Sequence, residues 1–155
     1  MNRLLFTLVV WPFIFFSACK NPGKKTDAGL ALKTKADSLR QEAIHEHNRG
    51  MGGWNKIEGR QIKIQKLLDS ISLLPAKTQP ALTMLKKELN EANESLSKAY
   101  KEMYDWMVIM NLDSAADNPG LRAQYYTDEI IKGREITNLI NNSLDKADSV
   151  LKTSH

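Results

Sequence analysis

Apolar residues recur three and four positions apart along most of the chain, and this spacing predicts long helices. In the middle of the chain the repeat runs without a gap, and it does so again towards the end. A repeat that averages about 3.5 residues places the apolar side chains along one line of a helix, as in a coiled coil. The two lines are Leu82, Leu85, Leu89, Ala92, Leu96, Ala99, Met103, Trp106 and Met110, and Tyr126, Ile130, Gly133, Thr137, Ile140, Leu144, Ala147 and Leu151.

The first part of the chain shows the same spacing, and it keeps its phase through the segment HEHNRGMGGW, which runs from His45 to Trp54. Three glycines in this segment cost about 1 kcal/mol each relative to alanine in a helix, so a hinge is one possibility. Because a loop would normally shift the phase, we instead predict one continuous, at most bent, helix. Its apolar line is Leu32, Ala36, Leu39, Ala43, His47, Gly50, Trp54, Ile57, Gln61, Ile64, Leu68 and Ile71.

Prolines separate the three helical segments. Pro75 and Pro80 enclose one short connection, and Pro119, directly after Asn118, ends the second. An asparagine followed by proline is typical of the start of a helix. Short connections make neighbouring helices antiparallel. The sequence therefore predicts an all-α fold, an antiparallel three-helix bundle with coiled-coil-like packing and helices over about 30–74, 79–112 and 120–152.

The register of these helices predicts an unusual layer of side chains. If the first connection centres near Lys77, His47 lies level with Met107 and Met51 lies level with Met103. The predicted layer consists of His47, Met51, Met103, Met107 and Met110, with Trp54 and Trp106 nearby. The same reasoning about the second connection brings Arg122, Tyr125, Tyr126 and Glu129 to this level.

Three interpretations of the layer remain open at this point. Thioether and imidazole groups suit Cu(I), so the histidine and the four methionines are candidate ligands of a copper-type site. Methionine also fills irregular cores, and Gly50 leaves room for such filling, which makes ordinary packing the favoured interpretation. The third is a binding surface for another protein. We therefore expect no cofactor, with copper as the alternative.

The N-terminus has the pattern of an export signal. Arg3 precedes an apolar run of thirteen residues from Leu4 to Phe16, whereas a helix that spans a membrane needs about 20. The residues FSAC resemble the lipobox of bacterial lipoproteins, although Phe16 occupies the position at which the lipobox usually has leucine. We therefore predict a signal peptide over 1–18, acylation of Cys19 and a lipidated tether over 19–29. Cys19 is the single cysteine of the chain, so it cannot form an intrachain disulfide.

The sequence carries no recognisable catalytic motif. It contains no phosphate-binding G-x-x-x-x-G-K, no G-x-S-x-G nucleophile segment and no H-E-x-x-H zinc pair. The net charge of +4 is too small and too dispersed to indicate nucleic-acid binding. We therefore expect a structural or protein-interaction module rather than an enzyme. Because the predicted register leaves Leu32, Ala36 and Leu39 beyond the ends of the other helices, this stripe is a candidate surface for a protein partner or a second copy.

These features together resemble a family of small lipoproteins from the Bacteroidota that often carry the label "viral A-type inclusion protein". Its members have a lipobox, then a helix with H-D-x-x-M-x-x-M-G, then a helix that ends in M-M-x-W-M. The matching residues are His47, Met51, Met103, Trp106 and Met107, whereas Asn48 replaces the aspartate and Trp54 replaces the second methionine. The resemblance implies a tethered helical protein of the outer membrane with no activity to carry over. No acidic run follows Cys19, which in such lipoproteins implies the periplasmic face.

Overall fold

The computed structural model describes residues 23–153, and within this range the chain forms three long helices. Helix α1 spans Gly23–Ser72, α2 spans Thr83–Ile109 and α3 spans Pro119–Thr153. A short 3-10 turn, Gln79–Leu82, leads into α2. The helices pack against one another and no strand occurs among the described residues, so the predicted all-α, three-helix bundle is confirmed. The predicted signal peptide and Cys19 lie outside the described residues.

The helix boundaries follow local signals. Asn118 accepts hydrogen bonds on Oδ1 from the backbone N–H groups of Gly120 and Leu121, both at 3.1 Å, and so caps the start of α3. Pro119 occupies the first helical position, as expected from its fixed φ. Helix α2 ends where Met110 takes an extended backbone conformation. Helix α1 begins at Gly23, earlier than the predicted start near residue 30, so the helix includes part of the predicted tether.

Contacts between side chains fix the register of the three helices. Trp54 of α1 stacks on Tyr100 of α2, which is the antiparallel register predicted from a turn centred near Lys77. Helices α1 and α3 run parallel, and pairs such as Arg60 with Asp148 lie 88 positions apart in the sequence. Helix α2 is therefore antiparallel to both α1 and α3, as the short connections require.

Helix α1 passes without a break through the glycine-rich segment, as predicted. A Cβ at Gly53 would lie 2.6 Å from Cγ2 of Ile140, and one at Gly50 would lie 3.3 Å from Cε of Met103. A Cβ at Gly52, in contrast, would meet nothing within 4 Å. Two of the three glycines therefore let neighbouring helices approach closely, and the segment is a packing site rather than a hinge.

The buried line of α1 differs from the predicted one. Glu46 and Gly53 are buried, whereas His47 and Trp54, the adjacent positions that the pattern placed in the core, are only half-buried. The reason is that α1 contacts two helices and therefore buries a broad face. Its residues at 46, 53 and 60 face α3, and those at 47, 54 and 61 face α2.

The predicted uncovered stripe is largely covered, which corrects that expectation. Ala36 is 1% exposed, and Leu39 is half-buried against Tyr126 and Ile130 of α3. Of the three residues only Leu32 stays exposed, at 44%. The α3 helix starts at Pro119 and, in its parallel register with α1, runs alongside this part of the first helix. Counting across both connections placed the start of α3 too far towards the C-terminal end of α1, so the prediction missed this cover.

Candidate functional site

The predicted layer contains a cavity at the end of α2. The cavity has a volume of about 310 Å³ and lies between the first two helices and the chain that follows α2. Its lining consists of Ile44, His47, Met107, Met110 and Leu112. The imidazole is thus the one ionisable group of an otherwise apolar lining, and it shares the cavity with two thioethers.

The structure divides the five predicted ligands into two groups. His47, Met107 and Met110 line the cavity, whereas Met51 and Met103 do not. Met103 is fully buried and packs its terminal methyl group against Gly50. Met51 is half-buried and packs against the central core. For these two residues the packing interpretation is therefore the better one, because Met103 fills the space beside Gly50 and Met51 packs against the core.

His47 is held at the edge of the cavity by its neighbours. Its Nδ1 lies 3.2 Å from Oδ1 of Asn48, and its ring centroid lies 6.0 Å from that of Trp106 at a tilt of 49°. The ring is half-buried. Because Asn48 bonds to Nδ1, the other ring nitrogen, Nε2, has no hydrogen-bond partner among the described residues.

Two tryptophans fix the helices around this layer. Trp54 stacks on Tyr100 with centroids 4.5 Å apart and donates from Nε1 to the Tyr100 carbonyl oxygen at 3.2 Å. Trp106 is 1% exposed and donates from Nε1 to Glu129 of α3 at 2.5 Å. Each indole N–H therefore has an acceptor although its ring is packed, which is the usual condition for burying tryptophan.

The chain after α2 is held in place from α3. The Tyr126 hydroxyl donates to the carbonyl oxygen of Leu112 at 2.5 Å, and the Arg122 guanidinium lies 3.5 Å from the same oxygen. The Tyr125 hydroxyl accepts a hydrogen bond of 2.7 Å from the Asn111 N–H. Burial raises the pKa of Tyr125 above its ordinary value near 10.0, so the hydroxyl stays neutral in this position.

Of the four α3 residues predicted at the level of His47, Glu129 contacts the layer through Trp106. Arg122, Tyr125 and Tyr126 contact the chain after α2 instead, and the offset of 88 residues between α1 and α3 places Arg122 near Asp37 rather than near His47. These contacts correct the predicted level of α3. They also explain how the cavity keeps its shape, because the α3 side chains hold the segment that carries Met110 and Leu112.

A buried carboxylate beside this layer was missed by the sequence analysis. Glu46 is 3% exposed, and its carboxylate accepts two hydrogen bonds from Arg49, at 2.9 and 3.0 Å. Arg134 of α3 approaches the same carboxylate at 3.3 Å and also pairs with Glu42. Two guanidinium groups thus compensate the buried charge. The available signal was the position of Glu46 four residues before Gly50 and seven before Gly53, on the face towards α3.

A third glycine sets the distance between α3 and the tryptophan of this layer. A Cβ at Gly133 would lie 2.7 Å from Cη2 of Trp106 and 3.2 Å from the Cβ of Glu46. Gly133 therefore accommodates the indole ring, which in turn lies beside the ring of His47.

Within residues 23–153, no helix is both long and apolar enough to cross a membrane. A comparison of the chain with protein-family models, curated proteins and solved structures gives no match. The resemblance to small lipoproteins of the Bacteroidota therefore stays a prediction that rests on the quoted motifs.

Proposed function

We propose that the chain is a lipid-anchored helical module on the periplasmic face of the outer membrane, and that it binds a partner protein through an exposed face of its bundle. The anchor rests on the signal sequence and on Cys19, the single cysteine. The binding role rests on the surface of α1 and α2. The proposal assigns no catalytic activity to the chain.

The observation that carries the binding role is a row of exposed apolar side chains on α2. Tyr100, Tyr104 and Val108 are 41%, 53% and 68% exposed, and their spacing of four residues places them on one side of the helix. Trp54 of α1 stacks on the first of them, and Met51 lies one turn from Trp54. We call these five residues the aromatic face. Tyrosine and tryptophan are enriched in protein interfaces, and rows of exposed apolar residues mark interaction sites.

The charges around the aromatic face indicate what kind of partner it fits. Lys101 and Asp105, which follow Tyr100 and Tyr104, form an ion pair with each other. This side of α2 thus presents little net charge next to its apolar row. An amphipathic helix of another envelope protein, laid along the groove between α1 and α2, would cover such a surface through apolar contacts.

The length of α1 adds a structural argument. At 1.5 Å per residue, its 50 residues extend over roughly 75 Å. In an acylated chain whose α1 stood upright on the bilayer, Met51 of the aromatic face would lie roughly 42 Å along the helix from Gly23. A module of this shape suits contact between the outer membrane and proteins of the periplasm.

The anchor is tested in the native host with an alkyne-labelled fatty acid. The wild-type chain should incorporate the label and fractionate with the outer membrane, and Cys19→Ser should do neither. A wild-type chain that stays unlabelled and is recovered as a free periplasmic protein would contradict the anchor.

The aromatic face is tested by site-specific photocrosslinking in the intact envelope. A benzophenone amino acid at Tyr104 should give one discrete adduct with another protein. The same amino acid at Ile131, which is 51% exposed on α3, is the matched control and should give none. Tyr104→Glu should lower the yield of an adduct formed from a probe at Val108. Equal yields at Tyr104 and Ile131, or an adduct of two copies of this chain, would argue against the proposed partner.

A second candidate function, the binding of Cu(I), is favoured by the composition of the cavity. His47, Met107 and Met110 line one space, and soft thioether groups together with an imidazole form a donor set that Cu(I) accepts. These three residues would hold the metal, while Met51 and Met103 would take no part in binding.

Calorimetry under anaerobic conditions tests this candidate. Cu(I) at about 100 times its Kd should stabilise the folded protein by about 2.7 kcal/mol and raise its Tm. The double variant Met107→Leu/Met110→Leu should lose this response, and Met51→Leu, the matched control, should keep it. A wild-type Tm that does not change with Cu(I) would eliminate this function.

A further inference from the structure

A second cavity lies in a region of the bundle remote from the aromatic face. It has a volume of about 700 Å³ and is bounded by α1 and α3 near the ends of both helices. Its polar lining includes Arg60, Lys63, Lys66 and Lys152. Its apolar lining comes from Leu67 and Leu151, both half-buried. We call this cavity the basic cleft.

The basic cleft concentrates positive charge that is only partly compensated. Asp148 is its single acidic residue, and this carboxylate pairs with Arg60 at 2.5 Å. None of the salt bridges among the described residues involves Lys63, Lys66 or Lys152. The cleft therefore carries an excess of three positive charges, in a chain whose formal net charge is +4.

The groups around Asp148 show that these cations converge. The hydrogen bond from Arg60 is the largest cause of the lowered pKa of Asp148, and the ammonium groups of Lys152 and Lys63 lower this pKa further. Lys63 comes from α1 and Lys152 from α3, so the two helices direct positive charge to the same space. An anion that entered this space would contact both helices at once.

The chemistry of the lining selects a class of ligand. The Arg60 guanidinium is already engaged by a carboxylate, so three lysine ammonium groups remain for a ligand. Ammonium groups act as point charges and are common binders of phosphate, whereas planar carboxylate recognition relies on arginine. Leu67 and Leu151 offer an apolar surface beside these charges. We propose that the basic cleft binds a phosphate-bearing amphiphile, whose phosphate contacts the three lysines and whose apolar part lies on the two leucines.

This proposal is independent of the aromatic face and of the copper candidate, because it uses none of their residues. The ligand could be a membrane lipid or a free phosphorylated amphiphile, and the two sources share the recognised chemistry. A soluble probe and a bilayer probe distinguish them.

The test compares two triple variants that change the net charge equally. The cleft variant is Lys63→Gln/Lys66→Gln/Lys152→Gln, and the control is Lys56→Gln/Lys98→Gln/Lys132→Gln. The control lysines are exposed and lie outside the cleft. Since none of the six forms a salt bridge among the described residues, both variants should keep the circular dichroism spectrum and the Tm of the wild type.

The probes are dihexanoyl phosphatidic acid, as a soluble amphiphile, and vesicles of phosphatidylglycerol, with phosphatidylcholine vesicles as the neutral reference. Titration calorimetry at about 0.15 M salt, where exposed charges are largely screened, measures the soluble probe. Cosedimentation measures the vesicles.

We expect the cleft variant to bind phosphatidic acid about tenfold more weakly than the wild type, or worse, and the control variant to bind within about twofold of it. Inorganic phosphate alone should bind at least about tenfold more weakly than phosphatidic acid, because it lacks the apolar part. Binding of vesicles without binding of the soluble probe would identify a lipid surface as the source.

The proposal is overturned if the wild type binds neither probe, or if the two triple variants lose affinity equally, since net charge alone would then explain binding. It is also overturned if inorganic phosphate binds as tightly as phosphatidic acid. A failure of photocrosslinking at Tyr104 would leave these results unchanged, so the two proposals fail separately.

Discussion

Substituting the three glycines of HEHNRGMGGW by alanine separates a packed helix from a hinge. In an exposed helix interior, glycine to alanine stabilises by about 1 kcal/mol. A Cβ at Gly52 would meet nothing within 4 Å, so Gly52→Ala should realise this gain in full. For a chain of this size, 1 kcal/mol corresponds to a rise in Tm of about 4 °C.

Gly53→Ala should lose this gain or reverse it. Its Cβ would lie 2.6 Å from Cγ2 of Ile140, and Ile140 is fully buried. Cγ2 is attached directly to the Cβ of a β-branched side chain, so it can move away only if the rotamer or the helix shifts. Overpacking of this kind costs about 1–3 kcal/mol, which offsets or exceeds the helical gain. We expect the Tm of Gly53→Ala to fall below that of Gly52→Ala by about 4–12 °C.

Gly50→Ala should be intermediate. Its Cβ would lie 3.2 Å from Oγ1 of Thr137 and 3.3 Å from Cε of Met103, so both side chains must shift by a few tenths of an ångström, which the flexible end of Met103 does more easily than the buried Thr137. The expected order of Tm is therefore Gly52→Ala, then Gly50→Ala, then Gly53→Ala.

Thermal unfolding followed by circular dichroism measures the series, and a double-mutant cycle identifies the contact. In the background of Ile140→Ala, which removes Cγ2, Gly53→Ala should become stabilising. A hinge would give a different result, because all three alanines would then raise the Tm by similar amounts. That outcome would refute the assignment of Gly50 and Gly53 to helix packing.

Three further predictions concern single sites. Gly133→Ala should lower the Tm, because its Cβ would lie 2.7 Å from the buried ring of Trp106. Thermal melts should show that the free energy of unfolding falls by up to about 2 kcal/mol, and a higher Tm would contradict the close approach. Ala115 has φ of 51°, so Ala115→Gly should raise the free energy of unfolding, measured by denaturant titration, by up to about 1 kcal/mol, and a fall would argue against this backbone conformation. The hydrogen bond from Arg60 holds the pKa of Asp148 below its ordinary value of 3.8, so this pair stabilises the fold above that pH and the stabilisation is lost as the pH falls through the lowered pKa. The difference in Tm between the wild type and Asp148→Asn should therefore be largest near neutral pH and shrink below about pH 3.8, and a difference that grew in acid would refute the pairing.

The fold and part of the site follow from local pattern. A 3.5-residue repeat and two proline-containing connections are enough to predict three helices and their directions. Counting outward from Lys77 then places His47 level with Met107, and the stacking of Trp54 on Tyr100 agrees with that register.

The position of α3 could not be obtained in this way. Periodicity finds one line of apolar residues, whereas a helix between two neighbours buries a wider face. The pattern therefore selected His47 and passed over Glu46, because a charged residue on a core face is recognised only once its guanidinium partners are known. For the same reason Ala36 and Leu39 were wrongly predicted to be exposed, since nothing in the local sequence indicates how far α3 extends along α1.

Helix α1 runs unbroken through its glycine-rich segment and so brings His47 level with Met107 of α2. Pulsed electron–electron double resonance measures the distance between two points of α1 directly, with nitroxide labels at the exposed positions Gln41 and Lys63 in a chain that carries Cys19→Ser. A continuous helix at 1.5 Å per residue predicts a single, narrow separation near about 33 Å between the labelled backbone sites. A broad distribution, or a main distance below about 20 Å, would show a bend or a reversal at the glycines and would contradict a continuous α1.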